Sequence, residues 1–387
     1  MTTLATDAAV RRDAVRRLVD EQIAPHAGEW DRTEHIPRSV LEALSAVGLW
    51  GAVLPAEAGG IGVGLQALGG LHEEVGRGCS SVRSLLTVHT MVTWAVHRWG
   101  GQELQERWLP RLADGTALGA FCLSEPGVGS DAAAVASTAT RTADGWTLSG
   151  HKKWITGGQL ADVFLVFART GTELSAFVVP RTAPGVTVTP LRGMLGTRAA
   201  MLAEVVLRDV RLRPGALIGP EGFAGSMVMT GALGLGRHSV ASGCVGIAQA
   251  CLEASARHTS QRSVAGGALR EKQLIRAKIT DMVTHTQAAR LLCERAGRLL
   301  EAGSPDAVMA TWIAKYFAAA AAATISRDAV QIHGAAGCSP EHPVERHYRD
   351  AKVMEIIEGS TEIQQQHIAE EAYRTLPPSS HDPLEQR

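Results

Sequence analysis

The sequence lacks the features that usually mark a metal site, a disulfide framework, a membrane span or a nucleic-acid binder. Its six cysteines are scattered and form no CxxC pair, which excludes a zinc motif and a disulfide scaffold. It has no run of about 18 apolar residues, and its arginine-rich start has no apolar stretch typical of a secretory signal. A net charge of -1 leaves no positive excess for nucleic acid. We therefore expect a reduced, soluble, cytoplasmic protein.

The sequence does contain enough apolar residues for a large core. Of its 387 residues, 45% are hydrophobic and 20% charged, which excludes wholesale disorder and suits two or three packed subdomains. Composition predicts an N-terminal helical domain at 1–118, a β domain at 119–225 and a C-terminal helical domain at 226–375. The polar, proline-containing end at 376–387 predicts a flexible tail.

Local patterns predict the elements within these zones. Apolar spacing predicts helices over 39–49, 82–99 and 103–112. Ser39 and Glu42 fit a capping box at the start of the first. Runs of β-prone residues bounded by Gly, Pro or Asp predict strands over 146–149, 163–168, 174–179, 186–189 and 204–212.

Several common catalytic motifs are absent. There is no GxSxG elbow, no Walker loop and no HExxH pair. His342 and His347 flank a carboxylate at Glu345, but a polar loop or a helix start explains this group better than a metal site, because no further ligand is close in sequence. We expect no metal.

Two segments of the β zone are suited to a flat, polar ligand. Leu123–Asp131 is a strand that runs into a Gly-rich turn, whose backbone N–H groups would suit an anion or the polar edge of a ring; an ordinary β-turn explains it as well. In the second segment, strand alternation places Trp154 and Thr156 on one face. A flat ring beside a hydroxyl suits one face of a flavin, and the alternative is a core tryptophan.

A third segment, 354–364, places Glu358 directly before Gly359 after an apolar run. Partial burial at such a position raises the pKa of the carboxyl group, which suits a base that removes a carbon-bound proton. The alternative is a carboxylate that caps a helix.

Together these segments resemble the acyl-CoA dehydrogenase family over almost the whole chain. Leu123–Asp131 resembles its first signature, and 153–157, 331–337 and 349–364 resemble later ones. The resemblance implies a mainly α fold with a β middle domain: an N-terminal helical domain, a β-barrel-like domain and a C-terminal four-helix bundle. It also implies FAD, bound between the last two domains and across a subunit interface, and hence a homodimer or homotetramer.

The resemblance also implies roles for individual residues. Glu358 matches the catalytic base. Some branches carry the base before an Arg on an earlier helix, where this chain has Gly236 and Arg237; Arg237 is then a substrate-side cation or a packing residue. Ser130 and Gly359 match substrate contacts. The implied FAD contacts are Leu123, Ser124, Trp154, Thr156, Arg262, Gln273 and Gln331.

Arg83 is the most informative residue for the substrate. It lies in the segment 79–86, which lines the acyl pocket in the family. A buried Arg there demands an anionic or strongly polar partner, and glutaryl-CoA dehydrogenases resemble this chain in placing an Arg in the segment. The alternative is that Arg83 pairs with an internal acid.

A closer resemblance links 79–84, 198–200, 236–246 and 344–360 with the acyl-ACP dehydrogenases of methoxymalonyl-ACP biosynthesis, which serve polyketide assembly. It implies a hydroxylated three-carbon acyl group on an acyl carrier protein, with α-proton abstraction by Glu358 and β-hydride transfer to flavin N5. The alternatives are a glutaryl- or short-branched-chain acyl-CoA dehydrogenase, and a non-catalytic or monooxygenase member of the fold.

The chain departs from the family pattern at two positions. Ala265 stands where the family has an aromatic residue, and Ala335 where it has a second Gly. Because Ala adopts a positive φ less easily than Gly, we expect altered FAD contacts near the subunit interface.

Overall fold

The computed structural model describes residues 2–376, so the predicted tail lies outside the described residues except for Leu376. The N-terminal zone is helical, as predicted. Its helices are α1 (Thr2–Leu18), α2 (Ala27–Thr33), α3 (Arg38–Ala46), α4 (Leu65–Gly78), α5 (Ser80–Trp99) and α6 (Gln102–Ala113). The predicted capping box is wrong, because α3 already begins at Arg38, and the side chain of Glu42 pairs with Arg38 at 3.1 Å.

The middle zone forms an eight-stranded sheet in the order β6-β7-β3-β2-β4-β5-β8, with β1 paired in parallel to β4. Its strands are β1 (Gly119–Cys122), β2 (Thr138–Thr142), β3 (Gly145–Ile155), β4 (Val163–Thr170), β5 (Glu173–Pro180), β6 (Val186–Pro190), β7 (Ala203–Leu212) and β8 (Leu217–Ile218). The predicted strands correspond to β3 to β7. The strand predicted to run into the Gly-rich turn at Leu123 corresponds to β1. The pattern missed β2, which has a single apolar side chain, and β8, which has only two residues.

Strand β3 is irregular near its end. Its pairing with β7 shifts register between Lys152 and Ile155, and Trp154 has a φ of 57°. The strand ends at Ile155, so Thr156 lies in the following turn. The prediction that strand alternation places Trp154 and Thr156 on one face is therefore wrong, because a bulge breaks the alternation.

The C-terminal zone returns to long helices. They are α7 (Thr230–Gln261), α8 (Gln273–Glu301), α9 (Ala307–His333), α10 (Pro343–Met354) and α11 (Thr361–Thr375), with a hairpin of β9 (Ser263–Val264) and β10 (Gly267–Ala268) between α7 and α8. Small residues such as Cys244 of α7 and Ala318 of α9 share one buried core. Small side chains let these helices pack closely.

Helix α9 lies in a long apolar segment, Ala307–Cys338. By length and composition alone, Ala307–Cys338 could cross a membrane, with a mean hydropathy of 1.4. Half of the apolar window is buried inside the protein, as in the core helix of a soluble protein. The stretch is therefore weak evidence for a membrane span.

Helix α7 lies in backbone contact with α4. A Cβ atom at Gly76 would lie 2.8 Å from Cα of Gly243, and one at Gly246 would lie 2.2 Å from the carbonyl oxygen of Glu73. No side chain fits at these positions, so the glycines permit the approach. The contact places polar side chains of α4 directly against those of α7.

Candidate active site

Glu358 lies in the tight connection between α10 and α11. It has a φ of 56°, in the left-handed region, and Gly359 follows with a φ of 96°. A non-glycine residue in this region costs roughly 1–2 kcal/mol. The carbonyl oxygen of Gly359 accepts hydrogen bonds from Lys315 Nζ at 2.7 Å and from Gln364 Nε2 at 2.9 Å. These two contacts hold the strained turn.

The carboxylate of Glu358 is directed into the protein and is not satisfied there. Its Oε2 is buried and has no hydrogen-bond partner among the described residues. A Cβ atom at Gly236 of α7 would lie 2.5 Å from this Oε2, so the carboxylate rests on the glycine. Burial raises the pKa of Glu358 to about 7, although neighbouring cations act to lower it. The helix-capping alternative fails, because Ser360 is the N-cap of α11.

Three cations act on this one carboxylate: Arg237, Lys315 and Arg83. The guanidinium carbon of Arg237 lies 3.8 Å from the ring centroid of Trp312, a cation–π contact. Burial lowers the pKa of Arg237 to about 10 and that of Lys315 to about 8.

Arg83 has no carboxylate partner among the described side chains, those of residues 10–376. Its side chain is buried and donates to the hydroxyl groups of Thr87 at 3.0 Å and Ser84 at 2.9 Å, and lies 3.1 Å from the sulfur of Met354. Its Nε has no partner among the described residues, and burial lowers its pKa. The alternative that Arg83 pairs with an internal acid is therefore wrong for the described side chains.

The two segments predicted to hold a flavin ring are adjacent. The backbone N–H of Lys153 donates to the carbonyl of Ser124 at 3.0 Å, and Nζ of Lys152 donates to the carbonyl of Leu123 at 3.2 Å. The side chain of Trp154 is 43% exposed, so the core-tryptophan alternative is wrong. A Cβ atom at Gly157 would lie 3.1 Å from Leu85 of α5, which puts this turn against the helix that carries Arg83.

A buried ion pair supports both segments. Nζ of Lys152 lies 2.7 Å from Oε1 of Glu125, and Glu125 also accepts hydrogen bonds from the backbone of Ala136 and from the backbone and hydroxyl of Ser137. Burial alone would raise the pKa of Glu125, but these hydrogen bonds lower it to about 2. The backbone of Glu125 and Val128 forms a closed turn, which agrees with the ordinary β-turn alternative. Ser130 beyond this turn is exposed.

Arg262, Gln273 and Gln331 lie at the other end of the helical bundle. All three are exposed, at the end of α7, the start of α8 and near the end of α9. Gly236 and Arg262 are 26 residues apart along one helix, or about 39 Å at 1.5 Å per residue. The fold of one chain thus separates these residues widely from Glu358.

The two departures from the family pattern lie near this end and differ in consequence. Ala265 does adopt a positive φ, 49°, at the hairpin before α8. At Ala335 the expected difficulty is absent, because Gly334 takes the positive φ of 63° and Ala335 follows in a short 3-10 helix.

The histidine segment 342–347 holds no metal cluster: no group of three or more His, Cys, Asp or Glu in the described chain could hold an ion. The rings of His342 and His333 lie tilted to each other with their centroids 5.6 Å apart, whereas His347 is buried. All six cysteines are free thiols.

Sequence reasoning missed several residues of the site. Lys315 and Trp312 of α9, His72 of α4 and Ser239 of α7 were not singled out. Lys315 had a usable signal, since it is a charged residue within an Ala-rich apolar stretch, where an unpaired charge is costly.

Comparison with known protein families matches this three-part architecture. The family models for the acyl-CoA dehydrogenase N-terminal, middle and C-terminal domains match residues 7–116, 120–210 and 224–373. The chain belongs to the acyl-CoA dehydrogenase family. It is accordingly an FAD-dependent oxidoreductase.

Three similar proteins illustrate the range within the family. The mitochondrial short-chain specific acyl-CoA dehydrogenase of Bos taurus is 36% identical over 364 residues, or 92% of this chain and 88% of that one. The structure of FkbI, for biosynthesis of the methoxymalonyl extender unit of the polyketide Fk520, is 37% identical with a TM-score of 0.86, covering 94% and 99% of the chains. A glutaryl-CoA dehydrogenase from Mycobacterium smegmatis in complex with FADH2 is 29% identical with a TM-score of 0.90, covering 94% of each.

The residues of this acyl-CoA dehydrogenase fit the cofactor. The exposed indole of Trp154 offers a flat apolar surface in a chain with only 4% aromatic residues. Thr156 follows the indole by two residues, and Ser124 accepts a backbone hydrogen bond from Lys153, the residue before it, so two half-buried hydroxyl groups belong to the same pair of bonded segments.

Proposed function

We propose that this protein dehydrogenates a small polar acyl thioester, with Glu358 as the base. The proposal depends on one observation: the carboxyl group of Glu358 has a pKa of about 7, and its buried Oε2 has no hydrogen-bond partner among the described residues. A structural carboxylate in such a position would be paired, because an unsatisfied buried polar atom costs free energy. An unpaired carboxylate that is partly ionised at neutral pH suits proton transfer.

The residues divide the chemistry among themselves. The α-proton of a thioester is only weakly acidic, and Glu358 removes it. The backbone N–H of Glu358 polarises the thioester carbonyl, as an oxyanion site does. Bound FAD supplies the acceptor for the hydride that leaves the β-carbon. Leu123, Ser124, Trp154 and Thr156 orient the cofactor and exclude water from that side.

The charges of the pocket favour a polar acyl group. Arg83 and Arg237 are buried, lie within electrostatic reach of Glu358 and have no ion-pair partner among the side chains of residues 10–376. A plain hydrocarbon tail would leave these guanidinium groups unsatisfied. The likeness to FkbI supports a hydroxylated three-carbon acyl group on an acyl carrier protein, in polyketide extender-unit biosynthesis. Ser130 and Gly359 complete the proposed substrate contacts.

A second candidate is a glutaryl- or short-branched-chain acyl-CoA dehydrogenase. The unpaired guanidinium of Arg83 suits a terminal carboxylate through bidentate hydrogen bonds. The relatives include a glutaryl-CoA dehydrogenase and a short-chain enzyme. The two candidates differ in the carrier and in the acyl terminus.

The separation of the predicted FAD residues favours an oligomer. Arg262 is about 39 Å from Gly236 along α7, and Gln273 and Gln331 lie toward the same end of the bundle as Arg262. We propose that they contact the FAD of a neighbouring subunit in a homodimer or homotetramer. The free thiols support a reduced, cytoplasmic location.

Anaerobic flavin bleaching tests the proposal. The holoenzyme is mixed with propionyl, butyryl, 3-hydroxypropionyl, glyceryl and glutaryl groups, each on CoA and on an acyl carrier protein. Fastest bleaching by a hydroxylated carrier-bound group supports the first candidate, and fastest bleaching by glutaryl-CoA selects the second. No bleaching by any thioester, or a purified protein that binds no FAD, would refute dehydrogenase activity; oxygen-dependent hydroxylation would indicate a monooxygenase.

A further inference from the structure

A chain of buried hydrogen bonds leads away from Arg83 into the contact between α4 and α7. Nη1 of Arg83 donates to the hydroxyl of Thr87 at 3.0 Å. That hydroxyl lies 2.5 Å from the hydroxyl of Ser239, which lies 2.5 Å from Nδ1 of His72. All four side chains are buried. Three helices thus contribute to one polar connection inside the protein.

One arrangement of protons satisfies every contact in this chain. The Thr87 hydroxyl also donates to the backbone carbonyl of Arg83 at 2.9 Å, so its oxygen accepts from both Arg83 and Ser239. The proton of Ser239 is then used, and Nδ1 of His72 has to donate to Ser239. Burial, Arg83 and His238 lower the pKa of His72 to about 3, so its ring is neutral. The hydrogen bond to Ser239 then fixes the tautomer that carries the proton on Nδ1.

The arrangement determines where the guanidinium group is held. Nη1 donates to Thr87 and Nη2 donates to Ser84. Nη2 also lies beside the sulfur of Met354, and neither Nη2 nor Nε meets a carboxylate among the described side chains. Nε faces Gly243 of α7, where a Cβ atom would lie 2.8 Å from it. A sulfur atom is a weak acceptor, so the Nη2 side beside Met354 is the one still able to bind an oxygen atom. Without the hydroxyl of Ser239, the Thr87 oxygen would lose one donor and its orientation.

We propose that Ser239 and His72 are positioning residues that fix Thr87 and, through it, the guanidinium group of Arg83 for the polar terminus of the acyl group. The inference rests on the proposed function, because it assigns the specificity of that site. It places the selection for polar acyl groups partly on α4 and α7, outside the segment 79–86 that carries Arg83.

The test compares two thioesters that differ only by a hydroxyl in place of a methyl group: 3-hydroxypropionyl and butyryl, on the same carrier. The readout is the ratio of kcat/KM for the two, from anaerobic flavin reduction by the FAD-loaded protein. We expect Ser239→Ala and Thr87→Val to lower the ratio about tenfold, mainly through KM for the hydroxylated substrate, as for the loss of one well-placed hydrogen bond. Thr87→Ser, which keeps a hydroxyl, should retain most of the kcat/KM ratio of the unaltered protein.

Ser242→Ala is the matched control. Ser242 is a buried serine of the same helix whose hydroxyl bonds the carbonyl of His238 at 2.9 Å, and its loss should leave the ratio unchanged. Equal losses for both thioesters in Ser239→Ala, or no preference for the hydroxylated thioester in the unaltered protein, would overturn the inference and leave the dehydrogenase proposal standing. An unaltered protein that oxidises neither thioester would instead count against the proposed function.

Discussion

Adding a single methyl group at Gly236 should displace the proposed base without touching its chemistry. A Cβ atom there would lie 2.5 Å from Oε2 and 2.7 Å from Cδ of Glu358, and 3.0 Å from the sulfur of Met91. Ordinary van der Waals contact begins at about 3.5 Å, so the carboxylate has to retreat by about 1 Å. A misplacement of about 1 Å can cost about 100-fold in rate. We expect Gly236→Ala to slow flavin reduction by about that factor.

The assay is anaerobic stopped-flow reduction of the FAD-loaded variant by the best thioester of the panel. Gly234→Ala is the matched control, since it lies two residues earlier in the same helix and its Cβ would meet nothing closer than Leu300 at 4.0 Å. Because Gly in a helix interior is about 0.5–1 kcal/mol less favourable than Ala, this control should be slightly more stable and equally fast. A Gly236→Ala protein that reduces its flavin at the unaltered rate would show that Glu358 does not work from the observed position.

Two further predictions concern the charges around the site. Lys152→Met leaves Glu125 buried without its cation, and should lower the free energy of unfolding, measured in urea, by about 3–5 kcal/mol. Adding Glu125→Gln to this variant should recover part of the loss. If the two substitutions instead destabilise the protein additively, the ion pair is not what stabilises this region. The rate of flavin reduction should rise with pH through about 7, because Glu358 has a raised pKa and acts when ionised. Lys315→Met removes a cation that lowers this pKa and should move the midpoint to higher pH, and an unmoved or lowered midpoint would refute the assignment.

The same raised pKa has a consequence for stability. A carboxyl that is harder to ionise in the folded protein stabilises it fully below the usual pKa of 4.5, and this contribution is lost as the pH rises through about 7. Glu358→Gln should therefore flatten the fall of stability with pH over this range.

The sequence predicted the fold through motifs spread over the chain, and long periodic helices such as α5 matched their patterns closely. Prediction was poorer where backbone geometry departs from the regular period. The bulge near Trp154 invalidated a face assignment based on alternation, and the cap of α3 depended on where the helix begins, which pattern alone fixes poorly.

At the site, Glu358 and Arg83 were identified through the family resemblance, because Glu358 matches the base and Arg83 lies in the segment that lines the acyl pocket. His72 and Ser239 could not be found in the same way. They come from helices far apart in sequence, and only the glycine-lined contact of α4 with α7 brings them together. A hydrogen-bonded chain of this kind leaves no local pattern in either segment.

Replacement of the base itself tests the central claim most directly. Glu358→Gln keeps nearly the same shape but cannot take a proton, and a general base contributes about 100- to 10,000-fold to rate. We predict that the variant binds FAD and stays yellow when the best thioester is added without oxygen, with reduction slowed at least about 100-fold. Bleaching at a rate close to that of the unaltered protein would contradict the account.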